Sequence, residues 1–103
     1  MIINDGYLIV MFDLPSITPL DRKAYSSFKS KLHRLGFLIV QESVYYRYLR
    51  ELKDTTAIID RIKIAVQNAS KVMAIKMTKQ QFKSIIPVSG KRLSGNENSI
   101  ETF

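Results

Sequence analysis

The chain has 103 residues, of which 46% are hydrophobic and 24% are charged. This length suits one domain with one core, and the globular composition excludes disorder as the default state. Sixteen Lys and Arg against nine Asp and Glu give a net charge of +7. A small domain this basic is expected to bind a polyanion, most often a nucleic acid.

Missing residue types exclude several enzyme classes. Without cysteine there is no disulfide, catalytic thiol or cysteine-based zinc site, and the expected location is a reducing cytoplasm. The single histidine, His33, excludes an HExxH metalloprotease, and four widely spaced glycines form no phosphate loop. The longest apolar run covers residues 7–12, far short of the roughly 20 residues that cross a bilayer, so no membrane partner is expected.

The first predicted strand covers residues 7–12, which are bulky and apolar at every position. Such a run is typical of a central strand covered on both faces. Leu14 and Pro15 follow Asp13, and because proline cannot extend a β-ladder, the strand is expected to end with Asp13 at its C-terminal tip.

A helix is predicted to begin at Thr18-Pro19-Leu20-Asp21, where a hydroxyl and a carboxylate form a variant of the capping box. Gly36 is expected to end it in the left-handed conformation. At 100° per residue, the predicted buried stripe consists of Leu20, Ala24, Phe28, Leu32 and Leu35.

The rest of the chain predicts three further strands and two helices. Residues 37–40 and 44–49 indicate two tightly joined strands, or one strand with a bulge. The other expected elements are a helix from Asp54 or Thr55 to about Asn68, a strand at Lys71–Met77, and a short helix that opens with a Thr78–Gln81 capping box and ends at Pro87.

This order predicts an α+β, ferredoxin-like βαββαβ fold over residues 1–87. The polar C-terminal tail, residues 88–103, is either flexible or a strand that pairs with a partner protomer. Two helices cover one face of such a sheet, yet Tyr7, Ile9 and Met11 make the other face apolar as well. A second copy of the sheet would hide that face in a homodimer, and an open face that stacks RNA bases is the alternative.

Asp13 is the candidate catalytic and metal-binding residue, because it follows a buried central strand. A lone Asp before Pro15 also suits an Asx turn. Mg²⁺-assisted phosphodiester cleavage generally uses more than one carboxylate. A twofold axis near the strand tip would supply the second Asp13, so one Mg²⁺ shared across the dimer is expected.

Seven cations are candidates for sequence-independent contacts with nucleic-acid phosphates. His33 lies among them without a visible carboxylate partner, and Tyr45, Tyr46 and Tyr48 are interpreted as packing residues rather than base-stacking platforms. The predicted nucleic-acid-binding set is Arg22, Lys23, Lys29, Arg34, Arg47, Arg50 and Lys53.

Two segments resemble a known family. Residues 7–15 form an apolar strand that ends in Asp-Leu-Pro, and residues 36–45 read G-F-L-I-V-Q-E-S-V-Y. Both are similar to CRISPR-associated protein 2, the small subunit of the spacer-acquisition machinery, and the likeness extends through Lys71–Met77. Phe12-Asp-Leu-Pro15 and Gln41-Glu-Ser-Val-Tyr45 are most similar to members from type II systems.

The resemblance implies a ferredoxin-like homodimer whose C-terminal segment adds a strand to the partner's sheet. It implies a scaffold that bridges integrase subunits and holds a short DNA duplex for insertion into a repeat array. Members are also described as metal-dependent endonucleases on single-stranded RNA or duplex DNA, with the strand-end Asp, here Asp13, binding Mg²⁺. Ile39 and Val40 stand where some nuclease-like members carry a basic residue, which favours the scaffold over the nuclease. A stand-alone metal-dependent ribonuclease, including a toxin-like one, and a non-catalytic RNA-binding module of the same fold are the alternatives.

Overall fold

A computed structural model of the chain describes residues 4–53, 55–66, 70–92 and 101–102. Within these residues it contains six strands and three helices. They are β1 (Gly6–Asp13), α1 (Pro19–Arg34), β2 (Leu38–Gln41), β3 (Val44–Leu49), α2 (Thr56–Ala65), β4 (Lys71–Thr78), α3 (Lys79–Lys83), β5 (Lys91–Arg92) and β6 (Glu101–Thr102).

The first four strands form one antiparallel sheet in the order β2-β3-β1-β4. This order, with α1 and α2 as the crossovers, confirms the predicted ferredoxin-like fold. Both alternatives for residues 37–49 are partly correct, because β2 and β3 are separate strands and β2 also carries an irregularity between Ile39 and Gln41. Ser43 closes the turn between them with a φ of 68°.

The larger core lies between the sheet and the two long helices. It contains Leu8, Val10 and Phe12 from β1 and the buried Phe28 and Leu32 from α1. The ring of Phe12 meets that of Phe28 edge-on, with 5.0 Å between the centroids. Alternate residues of one strand thus fill the helix-covered face, as the strand period of two requires.

A smaller core lies on the opposite face, which α1 and α2 do not reach. Here Tyr7, Ile9 and Tyr46 are buried together with Phe82 of α3. The Phe82 ring stacks on that of Tyr7, with 3.9 Å between centroids and 18° between planes. The five-residue helix α3 therefore covers only part of this face. We call it the helix-free face because neither of the two long helices, α1 and α2, packs on it.

Local sequence signals account for the helix ends. Thr18 and Asp21 form the predicted capping box of α1, with hydrogen bonds of 3.1 and 3.0 Å, and Thr78 and Gln81 form that of α3. Gly36 has the expected left-handed φ, at 91°.

Three details of the helix predictions are wrong or changed. Leu20 is 79% exposed, although the helical stripe predicted it to be buried, because the packed part of α1 begins a turn later. Thr55 is the N-cap of α2 but makes no capping hydrogen bond, and α2 ends at Ala65. The predicted limits at Asp54 and Asn68 lie outside the described residues.

In the C-terminal tail, β5 pairs antiparallel with β6. Residues 93–100 and 103 of the predicted tail lie outside the described residues. Among the described residues, no helix has both the length and the apolar character that crossing a membrane requires.

Candidate nucleic-acid and metal site

Asp13 is the last residue of β1, and its side chain is exposed. Its backbone pairs with that of Lys71, the first residue of β4. Because side chains alternate along a strand, Asp13 lies on the same face as Ile9 and Met11, which is the helix-free face. The predicted site residue is therefore at the rim of the face that the helices leave open.

One protomer supplies one carboxylate at this position. No group of three or more His, Asp or Glu side chains suited to a metal ion occurs among the described residues. Mg²⁺ is typically held by one or two carboxylates together with water and substrate phosphates. The exposed Asp13 carboxylate fits such a ligand set as one of its carboxylates.

A tyrosine-centred network lies next to the strand tip. The backbone N–H of Phe12 donates to the Ser43 carbonyl at 3.0 Å, which places the β2–β3 turn beside the end of β1. In this turn the Glu42 carboxylate accepts a hydrogen bond from the Tyr25 hydroxyl, which also lies 3.2 Å from Ser43 Oγ. Burial, and then the hydrogen bond to Glu42, raise the pKa of Tyr25. The network ties the turn to α1.

Two acidic residues near this end already have partners. The Glu42 carboxylate accepts a hydrogen bond from Tyr25, and the Asp21 carboxylate accepts one from the Thr18 backbone N–H in the capping box. The backbone hydrogen bond from Thr18 lowers the pKa of Asp21 below its ordinary value of 3.8. Asp13 differs from both, because the described part of the chain shows no hydrogen bond or ion pair to its carboxylate.

The predicted phosphate-binding cations do not surround Asp13. Arg22 and Lys23 lie in the first turns of α1, where Arg22 Nη1 donates to the Ile17 carbonyl at 2.8 Å. Arg34, the last residue of α1, lies 12 residues after Arg22 and therefore about 18 Å further along the helix. Arg50 and Lys53 are exposed beyond the end of β3 that lies furthest from Asp13.

The middle of the set lies along a groove between α1 and β2. The groove has a volume of about 650 Å³ and is lined by Lys29, His33 and Arg34 together with the half-exposed Leu38 and Ile39. The ammonium of Lys29 lies 5.0 Å from the centre of the Tyr25 ring. Arg47 is half-buried, and its side chain lies against Gly36. A Cβ at position 36 would be 3.3 Å from the Arg47 Nε. These cations form an extended basic surface, which suits a nucleic-acid backbone better than a compact ligand.

Neither the place of Lys71 beside Asp13 nor the Tyr25–Glu42 contact is identifiable from the sequence. Lys71 was only the start of a predicted strand, and nothing in the linear pattern fixes which residue of β1 it faces. The Tyr25–Glu42 hydrogen bond joins residues 17 positions apart across a helix and a turn. The register of the sheet reveals the position of Lys71, and the packing of the β2–β3 turn against α1 reveals the Tyr25–Glu42 contact.

The geometry defines a ferredoxin-like domain with an aspartate at the tip of its first strand. The family model described as CRISPR associated protein Cas2 matches residues 6–85. The chain therefore belongs to the Cas2 family.

Curated relatives agree over most of the chain. The chain is 35% identical over 92 residues to the CRISPR-associated endoribonuclease Cas2 of Streptococcus mutans serotype c (strain NN2025), covering 89% of this chain and 86% of the relative. It is 35% identical over 86 residues to the protein of that name from Parvibaculum lavamentivorans, covering 84% and 85%. The Ligilactobacillus salivarius protein is 31% identical over 94 residues, covering 91% and 93%.

Proposed function

We propose that the protein is a homodimeric scaffold in CRISPR adaptation, which bridges integrase subunits and binds a short DNA duplex. The observation that carries this proposal is the incomplete cover of the helix-free face. Met73 is 66% exposed and Ile75 is 47% exposed there, beside the half-buried Met11. A second copy of the same sheet would bury this apolar surface around a twofold axis.

The outer edge of β4 supports the same arrangement. β4 has eight residues and no strand partner on its outer side within the described part of the chain. An apolar groove of about 380 Å³ runs beside this edge, between Ile59 and Ile62 of α2 and Val72 and Ala74 of β4. An exposed apolar edge invites strand addition. The C-terminal tail of the other protomer is the proposed occupant.

The basic surface along α1 is the proposed DNA contact. Its cations are spread over a distance that matches several successive phosphates rather than one anion. Such contacts position a duplex without reading its sequence. The expected binding is therefore sequence-independent and falls steeply with salt.

Light scattering tests the dimer directly. We expect a dimer for the full chain at micromolar concentration, and a weaker one for a chain that ends at Pro87. A monomeric full chain would contradict the scaffold, and an unchanged dimer after truncation would contradict strand exchange by the tail.

Charge reversal tests the DNA contact. The variant Lys29→Glu/Arg34→Glu is expected to bind duplex DNA more weakly and with a shallower salt dependence. The matched control is Arg61→Glu/Lys63→Glu on α2, which makes the same change in net charge at two other exposed residues. Equal losses of DNA affinity in both variants would show that net charge, rather than the α1 surface, controls binding.

Co-purification of each variant with the integrase subunit tests whether the protein bridges integrase subunits.

A second candidate function is Mg²⁺-dependent cleavage of single-stranded RNA. The relatives' name, endoribonuclease, favours it, and so does the exposed Asp13 carboxylate, which has no hydrogen bond or ion pair among the described residues. Two Asp13 carboxylates in a dimer would hold a single Mg²⁺, which supplies charge neutralisation at the scissile phosphate and an activated water. The carboxylates themselves would bind and orient the ion.

The variant Asp13→Asn separates the two functions. It keeps the side-chain size and some turn-forming capacity but removes the charge. A scaffold is expected to retain dimerisation, DNA binding and spacer integration, whereas a nuclease is expected to lose metal-dependent cleavage. Loss of integration by a variant that still dimerises and binds DNA would favour a function that depends on metal binding by Asp13 over the scaffold function.

A further inference from the structure

Lys71 lies directly across the β1–β4 ladder from Asp13. Directly opposite residues of an antiparallel pair project to the same face, with Cβ atoms about 5 Å apart. Both side chains are exposed, and they form the last pair of the ladder, at the rim of the helix-free face. Among the β1, β3 and β4 residues on this face, Lys71 is the sole cation.

The ammonium of Lys71 is available to a ligand. Within the described residues, neither Lys71 nor Asp13 takes part in an ion pair, although they are cross-strand neighbours. Arg22, at the same end of the molecule, donates to the Ile17 carbonyl, and Glu42 is held by Tyr25. Lys71 is therefore the cation of the β1–β4 ladder that lies nearest to Asp13, and no described residue makes a hydrogen bond or ion pair with its ammonium.

An isolated carboxylate repels a nucleic-acid backbone, because both are negatively charged. A phosphate approaches Asp13 only if positive charge lies beside it, and Lys71 supplies such a charge on the adjacent strand. We propose that Lys71 binds a backbone phosphate of the nucleic acid and so positions that nucleic-acid strand next to the Asp13 carboxylate. This inference rests on the proposed function, in which the protein binds nucleic acid, and it assigns a positioning residue to the rim of the helix-free face.

Binding in the absence of metal tests this inference. Affinities of the full-length protein for a single-stranded RNA and for a DNA duplex are measured in EDTA over a salt series. Lys71→Gln is expected to weaken binding about fivefold and to lower the log–log salt slope by about one phosphate equivalent. Lys71→Arg, which keeps the charge, is expected to bind like the wild type. Asp13→Asn is expected to bind more tightly, because one negative charge is removed.

Lys76→Gln is the matched control. Lys76 is an exposed lysine of the same strand, but it pairs with Leu8 and so lies on the helix-covered face. Equal affinities and salt slopes for Lys71→Gln and Lys76→Gln would overturn the inference. So would dissociation of the Lys71→Gln dimer in light scattering, since that would make Lys71 an interface residue. Failure of the wild type to bind either nucleic acid would overturn the proposed function and the inference together.

Discussion

Both faces of the central sheet carry apolar residues of β1, but the structure covers the two faces unequally. On one face, α1 and α2 bury Leu8 and Val10 to 1% and 0% exposure. On the other, the five-residue α3 buries Tyr7 and Ile9 but leaves Met73 and Ile75 exposed. The chain thus buries most of β1 on both sides, but it leaves the β4 part of the helix-free face exposed.

The difference explains why the candidate chemistry is on the less covered face. Asp13 and Lys71 end the β1–β4 ladder on the helix-free face, where both side chains are exposed. A carboxylate one residue earlier, in place of Phe12 on the opposite face, would be buried against Phe28, which costs several kcal/mol unless a partner compensates it. Incomplete cover is therefore consistent with both assembly and access to charged groups.

The helix-covered face is expected to control stability. Leu32 is fully buried in it, so Leu32→Ala should lower the free energy of unfolding by about 3 kcal/mol, through lost burial and a residual cavity. Leu20→Ala is the control, since Leu20 is on the same helix but 79% exposed, and should change stability by less than about 0.5 kcal/mol. Urea unfolding measures both. Similar losses of unfolding free energy in the two variants would mean that α1 does not stabilise the protein mainly by packing on this face.

The helix-free face is expected to control assembly instead. Ile75→Asp should raise the dimer dissociation constant by roughly 100-fold or more, because each protomer would bury an unpaired carboxylate in the interface. The control is Ile64→Asp, another exposed isoleucine, which lies on α2. Sedimentation equilibrium distinguishes them. A dimer that tolerates Ile75→Asp would place the second copy elsewhere.

Much of this comparison follows from the sequence. The apolar run of β1 predicted cover on both faces, and the Thr18 and Thr78 capping boxes predicted two helix starts that the structure confirms. These signals are local, since a cap and its bond partner lie three residues apart. The order of elements then limited the sheet to the ferredoxin-like arrangement.

The remaining features depend on register and on where each element ends. The helical period assigned Leu20 to the correct side of α1, but it contains no information on how far the sheet extends beneath that helix. Likewise, Asp13 was identifiable as a strand end, whereas Lys71 became its neighbour only through the β1–β4 register. The Tyr25–Glu42 contact depends on a turn whose geometry includes the positive φ of Ser43.

The two capping boxes begin α1 and α3, the helices that pack on opposite faces of the sheet. Thr18→Ala and Thr78→Ala should each lower the free energy of unfolding by about 1 kcal/mol, because each leaves a backbone N–H without its acceptor. Thr78→Ala should also change the near-ultraviolet circular dichroism, since the short helix α3 carries the Phe82 ring that stacks on Tyr7. Thr56→Ala is the control, at a first-turn position of α2. An unchanged spectrum in Thr78→Ala would show that α3 stays in place without its cap.

The smallest expected effect concerns alkaline pH and draws on both faces. Tyrosine pKa values are raised above 10.0 by burial at Tyr25, Tyr45 and Tyr46, and at Tyr48 chiefly by its hydrogen bond to Asp5. A raised folded-state pKa means that the native protein retains protons that the unfolded chain has lost. The stabilisation is therefore complete below pH 10.0 and is lost as the pH rises through the folded-state pKa.

Two Tyr→Phe variants assign this loss to a face. Tyr48 donates to Asp5 Oδ2 at 2.6 Å and contacts the Tyr7 ring on the helix-free face, whereas Tyr25 packs against the core on the helix-covered face. Each variant removes one titrating hydroxyl, so the free energy of unfolding should fall less steeply above pH 10.0 than in the wild type. Tyr25→Phe should also destabilise the protein at neutral pH, because it releases the Glu42–Ser43 turn beside Asp13. Urea unfolding at neutral and alkaline pH measures how the free energy of unfolding of each variant changes with pH. The same pH dependence as the wild type in both variants would show that neither tyrosine contributes to alkaline unfolding.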